Sequence, residues 1–443
     1  MANKKIPSVS AFRFLVHSVQ ILKNPLPFHH ENFQRKGDTF RLKLGFGKSV
    51  IFSRDAGFAQ YALQKNQKNF TKSPIQTKDL SKYVGFGLLT SEGELWQKQR
   101  KLIQPAFHKK QLTNLLDTIN LAIETELHKI ETNKSIDIFP IFNDLAFQTV
   151  VKSLFSSAVN SEEINRLQHI TESAQKMLVK ELRQPYLGWW FRLNGEIAKH
   201  VSETEEARDI LKKLVNDRKK SGKREDDLLD MLLEARYEDG SEMDEEQLID
   251  EILILFTAGH ETTSNSLTFT SQLLAQNIEI QDKIFSEISL ARENSSNLME
   301  FIKACDFTKN VIEESLRLYP PAYFIDRVNS TEDEFNGLRI PKNSSLLFSL
   351  LEIHTNPDFW EEPKKFKPER FSGVSPYAFS SHYYPFGAGP RMCIGNNFAM
   401  YEMILAVAKL IEMFKISEKK SAIEIKPLIT LKPKDAFLEF VRR

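Results

Sequence analysis

Apolar side chains recur with a period close to 3.6 residues over about half of the sequence, from Trp96 to Phe307. That period places the apolar residues on one face of a helix. Short runs that fit β-strands lie outside this region, at 39–45, 48–53, 336–354 and 427–441. The sequence therefore predicts a mostly α-helical fold with a minor β region. No repeat or long linker divides the chain, so we expect a single domain, 1–443.

Composition excludes several classes of function. The formal net charge is +1, which provides no electrostatic reason to bind nucleic acid or an anionic membrane. The apolar run from Phe12 to Leu22 is interrupted by polar residues and has about half the length that a membrane span needs. We therefore expect a cytoplasmic protein without a membrane span. The charged run 217–226 is expected to form a solvated loop.

The stretch "FGAGPRMCIG" (386–395) contains one of the two cysteines, Cys393. Its glycines do not form a dinucleotide fingerprint, because Met392 stands where the third glycine would be. A Walker loop is excluded too, since Gly395 is followed by asparagine. The cysteine immediately precedes a helical pattern, and a helix N-terminus stabilises a thiolate. The residues alone leave open a metal ligand, a nucleophile or a buried structural thiol, and Cys305 is interpreted as the last of these.

The same stretch matches F-x-x-G-x-R-x-C-x-G and resembles the haem-ligand loop of the cytochrome P450 family. The resemblance covers roughly residues 20–440 and implies a P450 fold, with a long central helix over a buried haem. It implies that Cys393 is the thiolate ligand of haem b and that Arg391 binds a haem propionate. Further haem contacts are implied for Phe386, Gly387, Gly395 and Ala399.

A second motif, "AGHETT", lies in a long helical run that starts near Ser241. Gly259 costs a helix about 1 kcal/mol relative to alanine, and threonine hydroxyls can divert backbone hydrogen bonds, so a local opening of the helix is expected. The motif resembles the family's groove over the haem, where dioxygen binds. That resemblance implies that Thr262 and Glu261 form the acid–alcohol pair that delivers protons and that Ala258 contacts the haem.

Three further motifs follow the order of the family. Glu314 and Arg317 lie three residues apart on one helix face, and the resemblance adds Arg370, in 363–371, to form a structural triad. Trp96 and Arg100 are one helical turn apart and resemble the family's W-x-x-x-R pattern. The resemblance implies that these two residues, together with Arg327, bind the haem propionates.

The implied activity is that of a monooxygenase, which inserts one oxygen atom from O2 into a C–H bond, by hydroxylation or oxidative O-demethylation. The chain is expected to be a monomer without a fused reductase and to take electrons from a ferredoxin and an NAD(P)H-dependent ferredoxin reductase. Lys98, Lys101, Lys109 and Lys110 form either the docking surface for that ferredoxin or an ordinary solvated helix face. Two haem-thiolate alternatives are a peroxide-driven peroxygenase, which the Glu261–Thr262 pair disfavours, and a non-enzymatic sensor. The third alternative is a cysteine hydrolase, which would contain no haem.

The substrate is a small organic molecule that the sequence does not identify further. A fatty acid, a terpenoid or carotenoid, and a methyl ether such as a methylated sugar all fit the mixed polar and aromatic character of the expected pocket. By resemblance, the pocket is lined by five residues. These are Phe86, Leu255, Ala258, Tyr323 and Phe324.

Overall fold

The computed structural model describes residues 5–45, 47–156, 160–184, 187–374, 378–418 and 422–443. The chain forms two compact units, each assembled from segments that are distant in sequence. The first unit comprises Met1–Ser73, Glu313–Cys393 and Ile425–Lys432, and the second comprises Pro74–Ile312, Ile394–Glu424 and Pro433–Arg443. The single domain expected from the sequence stays a prediction.

Helices dominate the described residues, as the sequence predicts. They are α1 (Ala11–Val16), α2 (Ser18–Lys23), α3 (Leu26–Lys36), α4 (Ala56–Gln60), α5 (Ser81–Val84), α6 (Gly93–Ile103), α7 (Lys109–Thr113), α8 (Leu116–Leu127), α9 (Phe139–Phe155), α10 (Ser161–Arg183), α11 (Gly188–Leu193), α12 (Glu196–Ser221), α13 (Leu228–Glu234), α14 (Glu245–Ala275), α15 (Ile278–Asn294), α16 (Leu298–Ala304), α17 (Asp306–Leu318), α18 (Leu350–His354) and α19 (Asn396–Met413).

The strands form small sheets. They are β1 (Ser8–Val9), β2 (Thr39–Gly45), β3 (Lys48–Ser53), β4 (Phe70–Thr71), β5 (Ser135–Asp137), β6 (Phe324–Asn329), β7 (Asp333–Phe335), β8 (Leu338–Ile340), β9 (Ser345–Ser349), β10 (Phe414–Ser417), β11 (Glu424–Pro427), β12 (Leu431–Lys434) and β13 (Phe437–Arg442). The largest sheet lies in the first unit and has the order β1-β2-β3-β9-β6-β4. A sheet of order β10-β13-β5 lies in the second unit, and the pairs β7–β8 and β11–β12 form separate ribbons.

The hairpin β2–β3 is the part of the large sheet that the sequence locates best. Its two strands coincide with the extended runs 39–45 and 48–53. Phe40 lies opposite Phe52, and their rings stack with centroids 5.3 Å apart. Such cross-strand aromatic pairs stabilise a sheet by up to about 1 kcal/mol each. Strand β9 then adds to β3 in parallel, with Leu346 opposite Ile51.

Helix α14 is the longest helix of the second unit. It begins where the Asp244 carboxylate accepts a hydrogen bond from the backbone N–H of Gln247 (2.8 Å), which satisfies one of the first free amides of the helix. Helices α9, α12 and α19 pack against it. Most of its 31 residues are buried, so apolar packing on several sides holds it in place.

The core of this unit also contains an acid, Glu402 of α19, whose exposed fraction is 0%. It lies beside the hydroxyls of Thr149 and Thr263. Each of these hydroxyls donates its hydrogen to a backbone carbonyl, that of Leu145 (2.9 Å) and that of Gly259 (3.1 Å), respectively. Burial raises the pKa of Glu402 well above its usual range, because a buried carboxylate loses its hydration. Burial therefore favours the neutral, protonated form of Glu402 in the folded protein.

Two sequence expectations are corrected by the structure. The charged run 217–226 is not wholly a solvated loop, because α12 continues to Ser221 and Arg218 is buried. Arg218 donates hydrogen bonds to the carboxylates of Asp227 (2.7 and 2.9 Å) and Asp230 (2.6 Å), which neutralises its charge in the interior. A short strand, β5, interrupts the region predicted to be helical, because its residues pair with β13, whose residues follow 300 to 304 positions later in the chain.

Candidate functional site

Helix α14 carries a stripe of four residues that remain partly or fully exposed among the described residues. Ala258 is exposed, and Leu255, Gly259 and Thr262 are partly exposed, whereas the residues on the other faces of this part of the helix are buried. Their spacing of three, four and seven residues places them along one face. Two of the four have side chains no larger than a methyl group. The stripe can therefore accept a broad, flat molecule against the helix.

The two residues of the expected acid–alcohol pair differ in their surroundings. The Thr262 hydroxyl lies on the stripe and donates a hydrogen bond to the carbonyl of Ala258 (2.9 Å). Glu261 is 3% exposed and lies on another face of α14, because successive residues of a helix point about 100° apart. The structure thus places the alcohol on the uncovered surface and the acid in the interior next to it.

Gly259 has a packing role that the sequence does not indicate. A Cβ atom added there would lie 3.0 Å from Cγ2 of Val150 in α9, closer than side chains normally pack. The glycine therefore lets α9 and α14 approach each other. The helix remains continuous from Glu245 to Ala275, so the expected local opening is not present.

Cys393 lies at the end of a tight loop of the first unit, three residues before α19 begins. Its backbone N–H donates to the carbonyl of Phe386 (2.9 Å). Gly389 has a positive φ of 70°, and a Cβ atom there would lie 2.0 Å from the carbonyl oxygen of Leu63, so only glycine fits. Gly387, also with positive φ (73°), lies against Ile325 of β6. The loop is thus held by its backbone, while the Cys393 side chain remains exposed.

The two cysteines are in opposite environments. Cys305 is 0% exposed, and burial raises the pKa of its thiol to about 12. It is therefore a protonated core residue at neutral pH, in line with the structural interpretation of the sequence. Cys393 is exposed, which removes the interpretation of that cysteine as a buried structural thiol. A thiolate ligand must be accessible to its metal, and Cys393 meets that requirement.

The predicted triad is assembled within the first unit. Arg317, with 0% exposure, donates two hydrogen bonds to the Glu314 carboxylate (2.7 and 2.8 Å), and Arg370 donates a third (3.2 Å). Arg317 also donates to the carbonyls of His354 and Pro363 (both 2.8 Å). These bonds tie the end of α17 to the segment that leads to the cysteine loop.

His354 extends this connection toward the loop. Burial, with the Arg317 charge nearby, lowers the pKa of His354 to about 3, so the ring is neutral. Its Nε2 accepts a hydrogen bond from the backbone N–H of Tyr384 (2.9 Å), two residues before Phe386. Triad and loop are therefore linked through His354, whose backbone carbonyl accepts from Arg317 and whose neutral imidazole accepts from Tyr384.

The residues expected at the haem propionates are divided between the units. Arg327 of β6 is 7% exposed and lies in the first unit with the partly buried Arg391. Trp96 (8% exposed) and the partly exposed Arg100 lie on α6 in the second unit. Arg100 also donates a hydrogen bond to the side chain of Gln104 (3.2 Å). Cations at these positions suit the binding of carboxylates.

Lys72 is a cation that sequence reasoning missed. Thr71 pairs with Val328, so the same register, extended by one residue, places Lys72 opposite Arg327. Lys72 is only 8% exposed, so this pairing brings two cations close together in a largely buried part of the sheet. No local pattern marks this lysine, since only the pairing of β4 with β6 brings it there.

The residues expected to line the substrate pocket also belong to both units. In the first unit, Tyr323 is buried and donates its hydroxyl hydrogen to the carbonyl of Leu428 (2.7 Å). The ring of Phe324 lies 6.0 Å from that of Phe52, between ring centroids. In the second unit, Phe86 is 54% exposed and Leu255 lies on the α14 stripe. Their role toward a substrate stays a prediction.

The comparisons with known proteins identify the family. The model of the cytochrome P450 family matches residues 7–440. The chain belongs to the cytochrome P450 family. It is therefore a P450 monooxygenase whose family uses a haem with a cysteine thiolate ligand, and O2 as co-substrate.

Relatives of this P450 span nearly its whole length. It is 28% identical over 405 residues to a cyclooctat-9-en-7-ol 5-monooxygenase of Streptomyces melanosporofaciens, covering 91% of this chain and 87% of the relative. It is 24% identical over 417 residues to a pentalenene oxygenase of Streptomyces avermitilis, covering 93% and 91%. Among solved structures, a retinoic acid-bound cyanobacterial CYP120A1 has a TM-score of 0.84 at 25% identity and 96% coverage of both chains. The predicted fold class is thereby confirmed.

The residues of this P450 fit a haem on two observations. The cysteine of the matching loop is exposed, and the helix that carries the "AGHETT" motif has a partly exposed stripe on which Ala258 and Gly259 leave room for a bulky group. No helix within the described ranges is long and apolar enough to cross a membrane.

Proposed function

We propose that this P450 inserts one oxygen atom from O2 into a C–H bond of a hydrocarbon-rich substrate, with Cys393 as the thiolate ligand of its haem. The observation that carries the proposal is the exposed Cys393 thiol, on a loop that the carbonyl of Leu63 and the glycine at 389 fix in one conformation. A thiolate ligand donates electron density to the iron and favours O–O cleavage, which is the chemistry that the bound haem supplies.

Cationic side chains bind the haem propionates in this proposal. They are Arg327, Arg391, Lys72 and Arg100, and the indole N–H of Trp96 donates a further hydrogen bond to a propionate. Guanidinium–carboxylate hydrogen bonds are about twice as strong as neutral ones, so several such bonds fix the orientation of the ring.

Thr262 and Glu261 handle protons. The Thr262 hydroxyl holds a proton at Oγ1 on the uncovered stripe and donates a hydrogen bond to the Ala258 carbonyl. Rotation about its Cβ–Oγ1 bond turns that hydrogen away from the carbonyl. Glu261, in the adjacent interior, replaces the proton that the hydroxyl gives up. A peroxygenase would not need this pair, so its presence favours the O2-dependent reaction.

The proposed substrate is a terpenoid, with fatty acids and methyl ethers as the other classes that the predicted pocket allows. Support comes from the relatives, because cyclooctat-9-en-7-ol, pentalenene and retinoic acid are all mostly hydrocarbon. The product is an alcohol, or an alcohol and an aldehyde where the oxidised carbon bears an ether oxygen.

A separate ferredoxin and its reductase supply the electrons in this proposal. Lys98, Lys109 and Lys110 are exposed, and an acidic ferredoxin can dock on such a surface. Lys101 is exposed as well but forms an ion pair with Glu238. Ferredoxin docking at these lysines should weaken as the salt concentration rises.

The absorption spectrum of the reduced protein with carbon monoxide tests the proposal. A thiolate-bound haem gives a strongly red-shifted Soret band, which we expect for the wild type and for Cys305→Ser. Cys393→Ser should lose this band, because a hydroxyl is a poor substitute for a thiolate. A red-shifted band that survives in Cys393→Ser, or that disappears only in Cys305→Ser, would refute the assignment.

A further inference from the structure

Asp333, on the short strand β7, accepts hydrogen bonds from four uncharged donors. The backbone N–H of Glu334 donates to its Oδ1 (2.8 Å), which is a contact within the strand. The other three donors come from a distant segment of the first unit. The Tyr61 hydroxyl donates to Oδ1 (3.0 Å), and the side-chain amides of Asn66 (2.8 Å) and Asn69 (2.7 Å) donate to Oδ2. One carboxylate thus holds a segment that lies 264 to 272 residues earlier in the chain.

The three donors of the distant segment are themselves held in place. The Tyr61 hydroxyl accepts a hydrogen bond from the side-chain amide of Asn66 (2.9 Å). Oδ1 of Asn69 accepts from the backbone N–H (2.8 Å) and the hydroxyl (2.9 Å) of Thr331. Burial, together with the hydrogen bond to Asp333, raises the pKa of Tyr61, so its hydroxyl stays protonated and remains a donor. Because each donor has a second partner, the network holds the segment rigidly.

A π-helical turn, Tyr61–Lys65, makes this arrangement possible. The backbone N–H of Asn66 closes the turn by donating to the carbonyl of Tyr61, five residues before it (2.8 Å). In an α-helix, residues five apart point about 140° away from each other, so one carboxylate would not reach both. The wider π turn brings the Tyr61 and Asn66 side chains to the same acid. Single π turns of this kind are frequent at functional sites.

The middle of the π-helical turn contacts the cysteine loop. Leu63 is 2% exposed, and a Cβ atom at Gly389 would lie 2.0 Å from its carbonyl oxygen. The carbonyl can approach the loop this closely only because glycine has no Cβ. Ala62 and Leu63 also belong to the same buried core cluster as Tyr384 and Ala388, so apolar packing holds the turn against the loop. The position of the Leu63 carbonyl therefore limits where the backbone of the loop can lie.

The backbone of the loop connects Gly389 to the cysteine. Gly389 lies four residues before Cys393, inside a stretch that a hydrogen bond closes from the backbone N–H of Cys393 to the carbonyl of Phe386 (2.9 Å). Within that stretch, the N–H of Met392 donates to the carbonyl of Gly389 (3.1 Å). A stretch closed in this way moves as a unit, so a displacement at Gly389 also displaces Cys393. The place of the sulfur thus depends on the contact between Gly389 and the π-helical turn.

We propose that Asp333 is a positioning residue for the haem ligand, because it fixes the π-helical turn whose carbonyl confines Gly389 and thereby sets the place of the Cys393 sulfur. The proposal rests on the function proposed above, in which Cys393 is the thiolate ligand. A thiolate donates electron density to the iron, and this donation depends on how closely the sulfur approaches the metal. Loosening the network should therefore weaken the donation and raise the reduction potential of the haem.

Redox titration of the haem-loaded full chain tests the positioning. Asp333→Asn keeps the shape of the side chain but weakens its hydrogen bonds, because an amide is uncharged and has only one acceptor oxygen. We expect the one-electron equilibrium to shift about tenfold toward the reduced haem, which corresponds to about 59 mV. The matched control is Glu332→Gln, which removes the same charge from the neighbouring residue. Glu332 forms an exposed ion pair with Arg339, so its variant should keep the wild-type potential.

Tyr61→Phe separates the positioning effect from the loss of a negative charge. It removes one donor to Asp333 and changes no charge, so we expect a shift of about threefold in the same direction. A shift in Asp333→Asn that is absent from Tyr61→Phe would attribute the effect to charge and overturn the proposal. Equal shifts in Asp333→Asn and Glu332→Gln would overturn it as well. If Asp333→Asn does not fold, Tyr61→Phe alone decides between these outcomes.

The stretching vibration of the iron–sulfur bond provides a second measurement, which resonance Raman spectroscopy of the ferric protein follows. We expect a lower frequency in Asp333→Asn and Tyr61→Phe than in the wild type and Glu332→Gln. Denaturant unfolding of the same variants identifies a merely structural role of the network. A loss of unfolding free energy with an unchanged potential and an unchanged frequency would refute the positioning role.

The carbon monoxide spectrum separates this proposal from the one on which it rests. If the wild type shows no thiolate-bound haem, the assignment of Cys393 as the ligand fails and the positioning role fails with it. If that spectrum is as expected, but Asp333→Asn and Tyr61→Phe have the potential and the frequency of the wild type, only the positioning role fails.

Discussion

Arg317→Met would remove a buried charge of the first unit that makes five hydrogen bonds. The guanidinium makes two hydrogen bonds to Glu314 and three to the backbone carbonyls of residues 354, 363 and 365. It also lies over the ring of Trp360, 5.0 Å from its centroid. Methionine keeps much of the volume but none of the donors. The variant therefore leaves the carboxylate and the carbonyls without these bonds in a dry interior.

The expected cost is large relative to the stability of a protein. Breaking a buried ion pair by removing one partner costs about 3–5 kcal/mol, because the other charge stays buried. Each carbonyl left without a donor adds roughly 1 kcal/mol or more. Since Arg370 and the backbone N–H of Lys367 still reach Glu314, part of the charge remains compensated. We expect a loss of about 4 kcal/mol, against a typical total of about 5–15 kcal/mol.

The matched control is Arg339→Met, which removes an equally close bidentate pair with Glu332 (2.7 and 2.9 Å) that is more than half exposed. Denaturant unfolding of Arg317→Met, Arg339→Met and the wild type measures the loss of unfolding free energy. Exposed pairs contribute about 0–1 kcal/mol, so the control should unfold nearly like the wild type. Similar losses of unfolding free energy in the two variants would show that burial does not determine how much the Arg317–Glu314 ion pair contributes to stability.

Two further changes test the cysteine loop and the buried acid. Gly389→Ala should lose most of its haem, because the added Cβ would collide with the Leu63 carbonyl. The ratio of Soret to protein absorbance measures the haem content. Gly373→Ala is the control, since Gly373 has a similar φ (65°) but open space around it, and it should keep its haem. Equal haem contents would contradict the steric argument. Burial raises the pKa of Glu402 in the folded protein. The unfolding free energy of the wild type therefore falls as pH rises from about 4.3, the pKa of an exposed glutamate, through the raised value. Glu402→Gln should thus gain stability relative to the wild type as pH rises above about 4.3, by up to about 1.4 kcal/mol for each pH unit, and a constant difference in unfolding free energy would contradict this.

The sequence is sufficient to predict those elements whose signal lies within a short, contiguous stretch of residues. The hairpin β2–β3 follows from two short extended runs, and α14 follows from its apolar period. The motif around Cys393 was recognisable because its residues are contiguous. In each of these cases, the information lies within a few residues or turns of the chain.

Features that depend on distant contacts could not be predicted. Arg218 resembles a surface charge until the turn after α12 brings Asp227 and Asp230 to it. Lys72 has no sequence signal, because its position next to Arg327 comes from a strand pairing across more than 250 residues. Likewise, the glycines of the "GFG" segment at 85–87 can be explained only when the carboxylates of α14 that lie against them are seen. Periodicity reports which face of an element is buried, but not what it is buried against.

The pairing of β3 with β9 affects the order in which the chain can fold as it is synthesised. The hairpin β2–β3 can form early, but the strand that completes it, with Leu346 opposite Ile51, is made about 300 residues later. At about 5–20 residues per second, the ribosome leaves the β3 edge open for roughly 15–60 s. An open, largely apolar strand edge can pair with another chain. Slow elongation between residues 54 and 344 would therefore lower the yield of folded protein without changing a single amino acid.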